Sequence, residues 1–363
     1  IERDDLARAY RVYEDALARE RTYDLDDLVS HPVRLLRENP SEAELIRKRI
    51  AAHLLVDEFQ DVNKAQYELV RLLSQPSGRG LFVIGDPNQA IYGFRGADWR
   101  YFQQFQTDYP SVRVLRLSRN YRSQANILTA AANVMNQVDA VGILRPEIPA
   151  DKPVDVVELP NPATEGAYIT RAIDGMLGGS SFFSLDSGRA AVGDGRLDFS
   201  DFAVLYRLNA VGDVVEDAFR ASGIPYQRAC KQNPRDESES IDPRVRAVTL
   251  MTIHAAKGLE FPVVFVAGCE EGLIPYLPEK GHDNSAADLD EERRLLYVAM
   301  TRASGGLTLT RAATRTLFGR TMRNASSRFL ARIDASVCRH VKPLADRPRT
   351  GGKAPSQCDL FVD

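Results

Sequence analysis

With 363 residues, 44% of them apolar and 27% charged, and a formal net charge of −3, the chain has the composition of a globular protein too long for one comfortable core. No apolar run approaches the roughly eighteen residues of a membrane span, no signal peptide is evident, and the four cysteines stand apart without a CxxC pair, which argues against membrane, zinc-ribbon and disulfide classes and points to the cytosol. The net charge gives no general pull toward nucleic acid, but residues 270–292 hold eight acids and one lysine whereas 293–345 hold eleven Arg or Lys and one acid, predicting a basic face in the C-terminal third.

In chain order, residues 2–21 carry a helical stripe of Leu6, Ala9, Tyr10, Tyr13 and Leu17. A second helix begins within Tyr23 to Leu28 and is bounded by Pro32 and Pro40. Ser41, with Glu44 three residues on, predicts a capping box for a third. Leu54 to Asp61 then reads as a buried parallel strand whose C-terminal end carries Asp57 and Glu58, where open α/β sheets place their ligands. A helix over 63–73 and a loop lead to a second strand, Leu81 to Gly85, which ends in the polar cluster Asp86 to Gln89. Beyond Gly96 the pattern predicts a helix to Tyr109, a strand over Val112 to Leu117, a helix over Gln124 to Val138 and an irregular Pro-rich crossing to Asp155.

The strand-helix rhythm continues with Val154 to Leu159, Thr164 to Leu177, Phe202 to Tyr206 and Val211 to Ser222. Cys230 to Arg246 is polar and without periodicity. Strands over Val248 to Ile253 and Val263 to Ala267 flank a Lys257-Gly258 loop. A helix over Glu291 to Thr301, a strand over Leu307 to Arg311 and a basic helix over Ser326 to Ile333 follow, and the tail from Lys342 has the Pro/Gly/Lys-rich composition of disorder.

An Asp-Glu pair at a strand end is the layout of a Walker B element, although alone it reads more readily as a solvated acidic cap. Four further clusters change that: Gly85 to Asp98, Asn120 to Ser123, Thr252 to Pro262 and Glu291 to Ala303. With Val56 to Asp61 they resemble, in order, motifs II to VI of the UvrD/Rep/PcrA group of superfamily 1 DNA helicases, a resemblance that covers about residues 20–335. It implies an α/β fold of two RecA-like lobes that bind ATP and Mg²⁺ between them and hold DNA, single-stranded and duplex, across them. By the resemblance Asp57 holds Mg²⁺, Glu58 activates water, Gln89 senses the γ-phosphate, and Arg122 and Arg302 act as arginine fingers. Tyr121 stacks on adenine, Glu260 binds ribose, and Gln60 and Gly258 line the nucleotide site, with Asp61 beside Gln60 in a coupling network. Tyr92, Phe94, Arg95 and His254 resemble the residues that hold single-stranded DNA; taken alone, the two rings would more often be core aromatics.

Two departures stand out. The chain contains no GxxxxGK[ST], which implies a first lobe truncated at its N-terminal side and little ATP turnover by these residues alone. Between Tyr226 and Val248 only about twenty polar residues stand where relatives insert a helical 2B subdomain, too few for any domain. The expected organisation is a first lobe over 1–117, a second over 118–344 and a disordered tail over 345–363. In that tail Gln357, Leu360 and Phe361 resemble the pentapeptide by which bacterial proteins dock on the DNA sliding clamp. Two other readings stay open: a non-catalytic DNA-binding scaffold, and a nuclease-helicase fusion.

Overall fold

The computed structural model describes residues 3–50, 53–136, 144–178, 197–231, 239–277 and 286–342. Three helices come first, α1 (Arg3–Glu20), α2 (Asp27–Glu38) and α3 (Pro40–Ile50). Contrary to the expected boundary, α2 runs through Pro32: the lost amide bond is offset by Val33 and Leu36, which are buried on the helix's apolar face. Asn39 joins α2 to α3, donating from its side chain to the Leu35 carbonyl at 2.9 Å while its own carbonyl accepts from Glu42 and Ala43 at 3.1 Å. Ser41 therefore lies inside α3, whose first helical residue is Pro40, and not at its N-cap.

Strands β1 (Leu54–Val56) and β2 (Leu81–Val83) form a parallel two-stranded sheet, Leu55 opposite Phe82. Between them lies α4 (Lys64–Leu73), closed at its start by a capping box of Asn63 and Gln66, and after them α5 (Tyr101–Asp108). Phe59, Val62, Tyr67, Phe105 and Tyr109 make the core on one side of this sheet, whereas Leu55 and Phe82 are exposed on the other. The strand expected over Val112 to Leu117 does not form. Residues 112–118 are irregular, and Val114, Leu115 and Leu117 are exposed, because this apolar stretch finds no strand to pair with among the described residues. The strand β3 (Arg119–Gln124) begins just beyond and pairs with β4 (Arg145–Ile148), inside the stretch read from sequence as irregular.

The larger part is built on α6 (Ala125–Val134), β5 (Val154–Leu159), α7 (Pro162–Met176), β6 (Phe202–Tyr206), α8 (Asn209–Ser222) and β7 (Tyr226–Arg228). A short antiparallel pair, β8 (Cys230–Lys231) with β9 (Glu239–Ser240), lies in the polar stretch. Then come β10 (Val248–Thr252), β11 (Phe261–Ala267), α9 (Ala286–Met300), β12 (Ala303–Ala312), the hairpin β13 (Thr314–Leu317) and β14 (Arg320–Arg323), and β15 (Cys338–Val341).

Seven of these strands form one wholly parallel sheet in the order β15-β5-β12-β11-β6-β10-β7. Its middle strands are apolar on both sides, as a sheet covered on two faces requires. Alternation along β6 makes this explicit: Ala203 and Leu205 join the core under α6 and α9, while Phe202, Val204 and Tyr206 join the core under α7 and α8. The basic helix expected over Ser326 to Ile333 is a single 3-10 turn, Leu330–Arg332. The Ser327 amide bonds the Cys269 carbonyl at 3.1 Å, which draws this segment alongside the end of β11 while Phe329, Leu330 and Ile333 still bury.

Candidate nucleotide cleft and DNA-facing loop

The chain turns sharply where β1 ends. Glu58 takes φ 50° and ψ 43°, a left-handed conformation that costs a non-glycine residue about 1–3 kcal/mol and collects at functional sites. Its carboxylate is half exposed and receives the side-chain amide of Gln60, a wholly buried residue whose Oε1 accepts the Asp86 amide at 3.0 Å. Asp86, just past β2, takes the Gln89 Nε2 at 3.0 Å, and the Gln89 Oε1 accepts from Arg302 Nη2 at 3.4 Å. One hydrogen-bonded chain thus runs from the acidic strand end of the small sheet to an arginine at the end of α9.

Arg302 is 2% exposed, yet the acceptors around it are neutral: the carbonyls of Val298 and Leu259 at 3.1 Å, Thr301 Oγ1 and Gln89. Burial, and then the nearby Arg122 charge, lower its pKa to about 10. The Glu58 and Glu260 charges offset this only in part, and a buried cation with no carboxylate in hydrogen-bond contact is costly, so such a site suits an anionic ligand. Arg122 itself is half exposed and ion-paired at 2.5 Å with Glu260, so the expected ribose ligand holds the expected finger. Asp57 is exposed, its Oδ1 accepting the Glu58 amide at 2.8 Å. Tyr121 presents an exposed ring, and Gly258 stands at φ +82°, a conformation that favours glycine whatever binds nearby.

The chemistry of these donors fits Mg²⁺ and a nucleotide triphosphate. Asp57 offers the hard oxygen that Mg²⁺ takes beside phosphate and water. Asp61 Oδ1 is buried with no hydrogen-bond partner among the described residues, and Arg302 is a cation among neutral acceptors.

The second cluster lies on the loop that follows Gln89. Phe94 is 65% exposed and so is not a core ring, whereas Tyr92 is half-buried against the large sheet's core. The His254 ring stands edge-on to Phe94, centroids 5.5 Å apart, and Arg95 lies over Tyr92 and Phe94 at 5.5 and 5.6 Å. Burial, then Arg207 and Arg95, push the His254 imidazole down to about 4, so it is neutral at neutral pH. A flat exposed ring flanked by an imidazole and a guanidinium can stack a base and hold a phosphate.

Residues 1–110 match the UvrD/REP helicase N-terminal domain, and residues 115–233 and 231–314 match the UvrD-like helicase C-terminal domain. The chain belongs to the UvrD/Rep helicase family. It is 26% identical over 487 residues to the ATP-dependent DNA helicase PcrA of Staphylococcus epidermidis, covering 90% of this chain and 64% of that protein. To the ATP-dependent DNA helicase UvrD1 of Mycobacterium tuberculosis it is 30% identical over 499 residues, covering 91% and 64%. PcrA of Leuconostoc citreum is 28% identical over 509 residues, covering 96% and 66%. The chain therefore spans just under two thirds of the length of these relatives.

In this UvrD/Rep-family chain the structure draws Glu58, Gln60, Gln89 and Arg302 into one network, joins Arg122 to Glu260, and gathers Tyr92, Phe94, Arg95 and His254. It leaves Asp57 and Tyr121 at the exposed edge. Gln357, Leu360 and Phe361 lie outside the described residues. Sequence reasoning passed over Lys257, whose buried ammonium bonds Asp61, approaches Glu58 at 3.5 Å and donates to the Gln89 carbonyl at 3.0 Å. Its place beside Gly258 in the fifth cluster was the available signal.

Proposed function

We propose that this chain is the motor part of an ATP-dependent DNA helicase that steps 3′ to 5′ along one strand in DNA repair or replication. Its first RecA-like lobe spans 1–117 and its second 118–344. The observation that carries this reading is Arg302, a buried cation among neutral acceptors, hydrogen-bonded to Gln89 on the loop that also presents Phe94. A non-catalytic scaffold would have no physical use for a charge kept out of water in that way.

In the proposed mechanism Asp57 would hold Mg²⁺ and Glu58 would take the proton of the attacking water. Gln89, Arg302 and Arg122 donate to the oxygens that gain charge in the transition state. Bound Mg²⁺–ATP supplies the phosphoanhydride whose cleavage drives the cycle. Arg122 leaves Glu260 to do its part, which frees that carboxylate for ribose hydroxyls. Lys257 holds Asp61 and Glu58 from across the cleft, and Tyr121 offers its face to the base. On the DNA side Phe94 and Tyr92 stack bases while Arg95 and His254 flank them, and alternate closing and opening of the cleft shifts the grip.

Two further points belong to this reading. The two pieces of the C-terminal domain match abut in the β7–β10 connection, and the alignment to PcrA is longer than the whole chain, which supports a second lobe without a 2B insertion. We also propose that the 363 residues alone turn ATP over slowly, since no phosphate-cradling GxxxxGK[ST] occurs among them. DNA-stimulated hydrolysis, measured with a GxxxxGK[ST]-bearing segment supplied, tests the motor: Glu58→Gln and Arg302→Ala should each lower turnover by about 10³. Near-normal turnover in Arg302→Ala would remove the finger from its role. For the tail, a peptide of residues 350–363 should bind a bacterial sliding clamp at about 8 kcal/mol, micromolar. Loss of that binding in Leu360→Ala with Phe361→Ala would support docking, and no binding by the unaltered peptide would refute it.

A further inference from the structure

We propose that Glu291 is a positioning residue that holds the Tyr92 to Arg95 loop in its DNA-binding shape by gripping the Gly93 amide from α9. This rests on the reading of that loop as the single-strand platform. Glu291 Oε1 accepts the Gly93 N–H at 3.2 Å, a contact between residues 198 apart in sequence. A Cβ placed on Gly93 would stand 2.3 Å from Glu291 Oε2 and 3.1 Å from its carboxyl carbon. Gly93 is not among the glycines with positive φ, so its backbone conformation makes no demand for glycine; a Cβ there would instead push the carboxylate off the amide.

The loop is pinned on either side of this contact. Two residues before it, Ile91 is fully buried in the core under α6 and α9. Six residues beyond it, Trp99 lies beneath the guanidinium of Arg294, 5.8 Å from the ring centroid, and Arg294 is on the same face of α9 as Glu291 three residues away. The helix ends at Met300, two residues before Arg302. Nine residues at 1.5 Å each carry it about 14 Å from Glu291 to that end, and Arg302 follows in the turn. A rigid element with a phosphate-seeking cation at one end and a grip on the base platform near the other carries displacement from one site to the other. No such function attaches to a surface carboxylate on its own; it follows from the amide it holds and the room that Gly93 leaves it.

The test is the affinity of the full chain for a fluorescein-labelled oligothymidylate, followed by anisotropy. Glu291→Ala should weaken binding by about five- to tenfold, the loss of one charge-assisted bond, while Glu291→Gln, whose carboxamide oxygen still accepts from Gly93, should stay near wild type. Gly93→Ala should weaken binding by itself but add nothing in the Glu291→Ala background, where the space is free. Emission of Trp99, the single tryptophan, reports whether each variant is folded. Should Glu291→Ala fail to fold, Glu291→Asp, one methylene too short, should show the same loss. Unchanged affinity in the Ala or Asp variant, or additive losses in the double variant, would overturn the proposal while leaving the platform intact. No oligothymidylate binding by the wild type would instead sink the platform reading, and the role of Glu291 with it.

Discussion

A guanidinium held out of water by carbonyls and amides is a stability cost that a ligand can repay, and Arg302 is in that position. Arg302→Met should therefore raise the urea stability of the chain, by about 1 kcal/mol. Destabilisation by several kcal/mol would mark Arg302 as structural. Phe94, by contrast, is exposed and contributes little to the core. Its replacement by Ala should weaken single-strand binding by about 1–3 kcal/mol and leave nucleotide affinity alone; parallel loss of both would show that the ring supports the cleft. His254 adds a pH dependence whose sign is fixed by its low folded value of about 4. Between that value and the ordinary 6.5 the unfolded chain binds the extra proton, so stability should be full above about pH 6.5 and fall as pH drops toward 4, by up to about 3 kcal/mol. Denaturant titrations across this range should show a shallower fall in His254→Gln; an equal fall would assign the effect to other groups.

Among the elements, the β13–β14 hairpin is fastened by a buried ion network that no local pattern announces. Arg315, on β13, lies between Glu165 of α7 and Glu270 past β11, all 2% exposed or less. Glu165 also accepts from the Gly268 amide and Thr310, and Glu270 from the Ala312 amide, so every carboxylate oxygen is occupied. Removing only the cation, as in Arg315→Met, should cost about 3–5 kcal/mol because two buried carboxylates lose their counter-charge. A loss below about 1 kcal/mol in urea unfolding would contradict this. The helix-strand alternation and the apolar strands β5, β6, β10 and β11 were legible because long periodic or wholly apolar runs have few alternatives. β4, with Arg145 and Pro146, and the hairpin β13–β14 were not, since their pairing partners rather than their residues make them strands. Residues 112–118 failed in the opposite sense: the pattern suits a strand and the partner is missing among the described residues.

At the scale of the whole molecule, the loops that follow the β1–β2 sheet and those of the seven-stranded sheet bond to one another, and each set supplies what the other lacks. The smaller brings Glu58, Gln89 and the Phe94 loop; the larger brings Arg302, Lys257, His254 and Glu291. The clusters themselves were readable in the sequence, but their joins were not. Lys257 meets Asp61 across 196 residues and Arg302 meets Gln89 across 213, separations at which spacing carries no information. If a nucleotide bound at Arg302 changes the affinity for single-stranded DNA, DNA changes the nucleotide's affinity by the same factor. The direct measurement is oligothymidylate affinity with and without a saturating non-hydrolysable ATP analogue and Mg²⁺, in wild type and Arg302→Ala. A shift of about fivefold or more is expected in the wild type and none in Arg302→Ala. An affinity indifferent to the analogue, or the same shift without Arg302, would contradict this.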